Sequence, residues 1–361
     1  MNITVLGAGN TGLAMAAHAV EQGNQVTLWN RFEEEIIDLL QTNTIHTTGE
    51  VEGSFQLDLV TTDMKAALKD PELILITTPS FVHRYFAEKL AKYLTNDSLI
   101  LLCPGRTYGA LEFIEVFKTF NRETKPTVAE TQTAIYTCRK TSDDSVEILS
   151  IKSNVLFSAL NHSINQSIYN RLPSYIKAQL APADTIIETS IGSVGMIMHC
   201  APLLLNTGWT ESKTHQYNYY IEGISPSIAS VLEKIDEERM AVARRLGYEV
   251  ESVQEWLKRV YNVEGDTLYD SIQNTEAYRT IQAPTTLENR YITEDVPNGL
   301  VPVESTGHYL GLEMTYTGIM IDLASALLDR DFRSEGRNLN KLFNANQKRI
   351  DAFINRSEVN E

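Results

Sequence analysis

Gly7-Ala8-Gly9-Asn10-Thr11-Gly12 places three glycines at the spacing G-x-G-x-x-G. The chemistry this spacing permits is the binding of a pyrophosphate. Gly7 allows a tight turn, Gly9 lets the backbone approach the phosphates, and Gly12 lets helix and strand pack closely. The phosphates rest on free N–H groups at the positive end of the helix. Many chains carry such a run by chance. Here a strand pattern at Ile3–Leu6 precedes it and a helical pattern from Leu13 follows, which is the context of a dinucleotide fingerprint. Gly7, Gly9, Asn10, Thr11 and Gly12 are therefore candidate cofactor contacts; the alternative is a glycine-rich turn with no ligand. The second strand ends at Asn30-Arg31, where an NAD-binding unit usually has a carboxylate for the ribose 2′-hydroxyl. A carboxylate repels a 2′-phosphate and an arginine pairs with one, so Asn30 and Arg31 favour NADP(H), with NAD(H) as the alternative if Arg31 merely stacks on adenine or faces solvent. Thr78 and Pro79 end a further strand, at an edge where such sheets place cofactor contacts. Arg106, in Cys103-Pro104-Gly105-Arg106-Thr107, either grips a carboxylate at that rim or is a surface arginine.

A second group of reactive residues lies downstream. Read as one helix, Asp184–Leu205 puts Glu188, Gly192, Gly195 and His199 on one face. Two glycines in a helix cost about 1 kcal/mol each against alanine, so something needs the space: a nicotinamide, a substrate, or simply a tightly packed neighbour beside a core histidine. Further on, Asn289 to Pro302 carries Arg290, Glu294, Asp295, Pro297, Asn298-Gly299 and Pro302, a composition that predicts a turn-rich loop. An aspartate on such a loop can orient a histidine and stabilise its protonated form. Glu294 reads as a solvated neighbour.

These residues need a scaffold, and the hydropathy pattern supplies one. Ile3–Leu6, Gln25–Trp29, Leu73–Thr77, Leu99–Leu102 and Thr127–Glu130 read as short buried strands, with Val146–Phe157 as further strand. Helical patterns such as Leu13–Gln22 and Val82–Leu94 lie between them, which predicts a parallel, doubly wound sheet with covering helices. Beyond about residue 180 the period becomes that of a helix. Ser225–Leu246 has a serine cap, a first-turn proline and a terminal glycine at 247. Val253–Tyr261 is shorter, and a last long helix follows Ser305-Thr306. The expected architecture is an α/β Rossmann domain over 1–180 and an all-α substrate domain over 181–361.

Composition narrows the partners. The 361 residues carry a net charge of −16, which repels phosphate backbones and sets aside nucleic acid and anionic membranes. The three cysteines, Cys103, Cys138 and Cys200, are widely spaced and suggest neither a disulfide framework nor a metal site. The chain enters a strand directly, with no basic leader and no run of about 18 apolar residues, so a cytoplasmic protein is expected. Small-molecule substrates are the expected partners, with a homodimer as the assembly.

Four stretches together resemble the octopine/nopaline dehydrogenase-like opine dehydrogenases: Gly-Ala-Gly-Asn-Thr-Gly at 7–12, Pro-Gly-Arg-Thr at 104–107, Ala-Glu-Thr-Gln-Thr at 129–133 and His-Cys-Ala-Pro-Leu-Leu-Leu-Asn at 199–206. The run from Arg290 to Pro302 is the most telling addition. The resemblance implies NAD(P)H-dependent reductive condensation of an L-amino acid with a 2-oxo acid, often pyruvate, and the reverse oxidation. It implies a catalytic pair at His199 and Asp295. Arg290, five residues before the aspartate, would bind the amino-acid carboxylate. Cys200 departs from the proline that commonly follows the histidine. A second carboxylate calls for a second cation, and Arg106 is the candidate for the oxo acid, with Gln132 and Thr133 adding hydrogen bonds. Two other readings stand beside this one: a related two-domain reductase of the ketopantoate reductase type, and a non-enzymatic NADP(H)-sensing protein. Several such reductases use a lysine on a helix of the second domain, and Ser190–Leu205 has none.

Overall fold

The structure is a computed structural model describing residues 1–121 and 123–355. It divides into two compact units, Met1–Thr189 and Ser190–Glu361. The first unit holds strands β1 (Asn2–Leu6), β2 (Gln25–Trp29), β3 (Thr44–Gly49), β4 (Gly53–Gln56), β5 (Leu59–Thr61), β6 (Leu73–Ile76), β7 (Leu99–Leu102), β8 (Thr127–Thr131), β9 (Tyr136–Ser142), β10 (Ser145–Ile151), β11 (Val155–Ala159) and β12 (Leu180–Pro182).

The main sheet runs β12-β11-β8-β7-β6-β1-β2-β5. Its strands pair in parallel except where β11 meets β8. β6 (Leu-Ile-Leu-Ile) and β7 (Leu-Ile-Leu-Leu) are apolar at every position and buried at every position. That is the signature of a parallel sheet covered on both faces, where alternation is lost. The strand order reverses between β1 and β6, and in open α/β sheets such a reversal opens a crevice at the carboxyl ends of the strands. The expected Rossmann sheet is therefore present, and the glycine run stands at its switch point.

A second sheet, β4-β3-β10-β9, has no counterpart in the sequence reading. Its outer strands mix exposed and half-buried residues, so their apolar pattern is weak. The segment expected as one strand over Val146–Phe157 is two, because β10 belongs to this sheet and β11 to the main one.

The second unit is helical, among the described residues, but two of its elements differ from expectation. The helix expected over Asp184–Leu205 is broken. A turn of helix at Ile186–Thr189 stops, and a new helix runs from Gly195 to Leu205. Between the two, Arg239, 1% exposed, donates from Nη1 to the Ile191 carbonyl at 2.9 Å. Glu188 and Gly192 therefore do not share a helix face with His199, and the glycine trough does not exist as expected.

The segment expected as a loop is helical. A turn at Arg290–Thr293 passes into a π-helical turn at Val296–Leu300 and then into the helix Val301–Tyr309. Pro297 and Pro302 each fall in the first turn of a segment, where a missing N–H costs nothing. The expected last helix is also split, into Val301–Tyr309 and Thr315–Leu328. The long helix Pro226–Arg245 is as expected, with the Ser225 hydroxyl accepting from the Ile228 N–H.

Gly299 is where the π turn meets the helix Gly195–Leu205. A β-carbon there would lie 2.6 Å from Met196 Cβ, at the root of that side chain where nothing can rotate away. Gly299→Ala is expected to force the two elements apart and to lower stability by about 1–3 kcal/mol, as overpacking of a core does. A urea-unfolding midpoint equal to that of the wild type would contradict this.

Candidate active site

The glycine run forms a cradle whose parts answer different constraints. Gly7 has φ +110° and donates its N–H to the Trp29 carbonyl at 2.8 Å. A β-carbon on Gly12 would lie 1.8 Å from the Gly7 oxygen, so Gly12 is fixed by the packing of helix on turn. Gly9 is different: a β-carbon there would meet nothing within 4 Å. Its bareness serves no contact within the chain, which suits the close approach of a phosphate. The helix Asn10–Glu21 that follows has no side-chain cap on its first turn. Its N–H groups are the partners a pyrophosphate uses. Across the switch point Thr77 donates to the Leu6 and Gly7 carbonyls, each at 3.1 Å. Next to it the Thr78 hydroxyl is buried with no hydrogen-bond partner among the described residues, and Pro79 lies exposed. The residues present fit a dinucleotide.

At the end of β2, Asn30 is a tie. Its Oδ1 accepts from the Ala8 N–H at 3.1 Å, and its Nδ2 donates to the Phe32 carbonyl at 3.0 Å and to Glu35 Oε2 at 2.9 Å. Arg31 is exposed, with its guanidinium 5.4 Å from the Phe32 ring centre and 5.1 Å from that of Tyr85. Lys140 joins this group from β9, unforeseen in the sequence. Its N–H donates to Asn10 Oδ1 at 2.8 Å, and its ammonium donates to the Glu35 carbonyl at 3.0 Å and the Ala8 carbonyl at 3.4 Å. No local signal marks it, because it lies on a strand of the unforeseen sheet.

The loops after β7 and β8 lie side by side. The Gly105 N–H donates to the Thr131 carbonyl at 3.2 Å. Arg106 is 8% exposed with φ +59°, which removes the reading of a surface arginine. Gln132, also buried, donates from Nε2 to the Glu188 carbonyl at 3.4 Å. The Thr133 carbonyl accepts from the Thr131 hydroxyl at 2.9 Å. Under these loops the buried Glu130 carboxylate accepts from the Ala110 N–H at 2.8 Å and the Thr189 hydroxyl at 3.0 Å.

In the second unit the structure brings His199 and Asp295 together. His199 Nδ1 lies 2.8 Å from Asp295 Oδ2, with the histidine side chain 17% exposed and the aspartate fully buried. An ionised carboxylate only accepts, so Nδ1 carries the hydrogen and the tautomer is set. Tyr291 stacks on the imidazole, centroids 4.2 Å apart and planes 9° apart. The Tyr219 hydroxyl donates to the His199 carbonyl. Burial pushes the phenols of Tyr219 and Tyr220 well above their usual range, so both stay neutral. Arg290 is exposed on the turn that ends at Thr293, one residue before Tyr291. Glu294, expected to be solvated, is 2% exposed. Glu188 accepts from the Asp184 and Thr185 N–H groups at 2.7 and 3.1 Å and caps its own turn. Among the described residues no three His, Cys, Asp or Glu side chains are grouped so as to hold a metal ion.

Residues 182–328 match the family described as NAD/NADP octopine/nopaline dehydrogenase, alpha-helical domain. Residues 2–129 match the NAD-dependent glycerol-3-phosphate dehydrogenase N-terminus. An opine dehydrogenase of Arthrobacter sp. (strain 1C) is 36% identical over 343 residues, covering 94% of each chain. The fold is shared with octopine dehydrogenase in complex with NADH and agmatine, at a TM-score of 0.81 and 17% identity over 99% of both chains. It is also shared with NADP+-bound yersinopine dehydrogenase, at a TM-score of 0.77 and 13% identity over 99% of this chain and 98% of that one. A Rossmann sheet, a helical second unit and a relative this similar along nearly its whole length place the chain in the opine dehydrogenase family, as an NAD(P)-dependent oxidoreductase.

Proposed function

We propose that this enzyme condenses an L-amino acid with a 2-oxo acid, pyruvate foremost, and reduces the product to an N-(carboxyalkyl) amino acid, with NADP(H) as the preferred cofactor. The observation that carries the proposal is the 2.8 Å contact between half-buried His199 and fully buried Asp295, with Arg290 five residues before the aspartate. The first unit is the cofactor domain in this reading and the second the substrate domain.

An amino acid near neutral pH carries an ammonium, which has no lone pair to attack with. Nδ1 of His199 is committed to Asp295, so Nε2 takes the proton. The freed amine attacks the oxo carbon and gives a carbinolamine. Loss of water then needs an acid, and the imidazolium returns its proton to the leaving hydroxyl. Asp295 holds the ring in one tautomer and balances its charge between the two steps. When bound, the nicotinamide cofactor supplies the hydride that reduces the imine. Arg290 anchors the amino-acid carboxylate, and Arg106 anchors that of the oxo acid, supported by Gln132 and Thr133. Octopine dehydrogenase has been solved with NADH and L-arginine and with NADH and pyruvate, which supports this pairing of substrates.

Arg31 supports NADP(H): it is the exposed cation at the end of β2. Glu35, whose carboxylate rests on Asn30, is the charge that opposes a 2′-phosphate. The preference is the balance of these two. Cytoplasmic residence and a homodimer belong to the same proposal; the three free cysteines support the first.

His199→Ala is expected to retain cofactor binding and to lower kcat by about 10²–10⁴-fold, the usual worth of a positioned acid–base group. Unchanged turnover would remove His199 from the mechanism. Asp295→Asn is expected to lower kcat with little change in the KM of the cofactor. Arg31→Met is expected to raise the KM for NADPH by about tenfold or more, the loss of one charged hydrogen bond, and to leave that for NADH within twofold. Glu35→Gln shifts the ratio the other way. A matrix of amino acids against 2-oxo acids identifies the substrates; no oxidation of NADPH or NADH with any pair would sink the proposal, and faster wild-type turnover with NADH would sink the cofactor preference.

A further inference from the structure

A single hydrogen bond does not fix a histidine. The contact between Nδ1 and Asp295 sets one edge of the ring, and the plane of the ring is a separate degree of freedom. A second restraint must act on the face of the imidazole. Tyr291 provides one: its ring lies parallel to that of His199, within 9°, at a centroid distance of 4.2 Å.

Tyr291 is itself held from several sides. Asn289 Oδ1 accepts the Tyr291 N–H at 3.1 Å, and the Asn289 carbonyl accepts from Ile292 and Thr293 at 2.9 Å each, so the turn that carries Tyr291 is capped. The Tyr219 ring packs against that of Tyr291 at 5.2 Å. Behind it, Tyr219 meets Tyr220 at 4.9 Å, and Tyr220 stacks on Tyr278 at 4.1 Å. Tyr219, Tyr220 and Tyr278 are buried and kept neutral by desolvation. A row of rings thus runs from the core of the second unit to the imidazole, and Tyr291 is its last member. The Arg290 guanidinium lies 5.8 Å from the centre of the same ring, so the arginine is referenced to the plane that steadies the base.

We infer that Tyr291 is a positioning residue for the reaction, whose ring face fixes the plane of His199 and with it the direction of Nε2. This rests on the reading of His199 as the acid–base group. The role belongs to the ring face and not to the hydroxyl, because the contact is a parallel stack.

The test is steady-state kinetics on the full chain, varying amino acid, oxo acid and cofactor in turn, for wild type, Tyr291→Phe, Tyr291→Leu and His199→Ala. Tyr291→Phe keeps the plane and is expected to hold kcat within about twofold. Tyr291→Leu fills the space without a plane and is expected to lower kcat by about tenfold to a hundredfold, the scale on which small misplacements of a catalytic group act. The KM for cofactor should stay within about twofold. Where Tyr291→Leu yields no folded protein, Tyr291→Met carries the same expectation. The inference is overturned if Leu or Met leaves kcat unchanged, if Phe loses as much as Leu, or if the loss falls on KM alone. Turnover retained by His199→Ala would overturn the reading of the site and the inference together. A dead His199→Ala beside a fully active Tyr291→Leu would overturn the inference alone.

Discussion

A carboxylate with no exposure to water has to be compensated where it stands. Removing one from water without a partner costs many kcal/mol, and losing one partner of a buried charged pair costs several. Asp295 is such a group, and the second unit is arranged around it. The helix Gly195–Leu205 brings the imidazole, the π turn brings the carboxylate, and the bare α-carbon of Gly299 lets the two approach. Arg239 acts at one remove. It donates to the Ile191 carbonyl, in the segment between the turn Ile186–Thr189 and the helix Gly195–Leu205 that carries His199.

The first unit has its own buried polar ties, one neutral and others cationic. Asn30 is buried, and its amide joins the glycine loop to the segment after β2 through three hydrogen bonds. Lys140 reaches the same loop from another sheet and donates to the Ala8 carbonyl within it and to the Glu35 carbonyl in the segment after β2. Arg106 is a buried cation of the same unit. These groups show how a chain of net charge −16 can serve anionic ligands. Charge on the far surface is screened by salt over about 10 Å, whereas a cation within a few ångströms of the ligand is not. Net charge therefore bears on which macromolecules are repelled and says little about what a small site accepts.

Much of this was legible in the sequence, for physical reasons that also explain the rest. β6 and β7 are uninterrupted apolar runs, and a glycine run between strand and helix has few other uses, so the Rossmann sheet stood out. The strands β3, β4 and β9 were missed because many of their residues are exposed or half exposed, so their apolar pattern is faint. Lys140 was missed with them. The pairing of His199 with Asp295 came from a resemblance, since residues so far apart in sequence carry no local signal of contact. The two errors of element type have separate causes. Pro297 and Pro302 were read as breakers, although a proline in the first turn starts a helix as readily as it ends one. The glycines at 192 and 195 were read as helix interior, although one turn stops at Thr189 and a new helix starts at Gly195.

The π turn at Val296–Leu300 makes the site depend on a count of residues. A π turn accommodates one more residue than an α-helical turn between the same two ends. Successive residues of an α-helix are about 100° apart around its axis, so this added residue is a phase advance between Asp295 and the helix that begins at Val301. Deleting any one residue from 296–300 would restore an ordinary helix and swing the aspartate about a quarter of the way round. The length of this segment, more than the identity of most residues in it, is then what inheritance must preserve. A one-residue deletion here is expected to part the histidine from its carboxylate even though both residues are still spelled in the sequence.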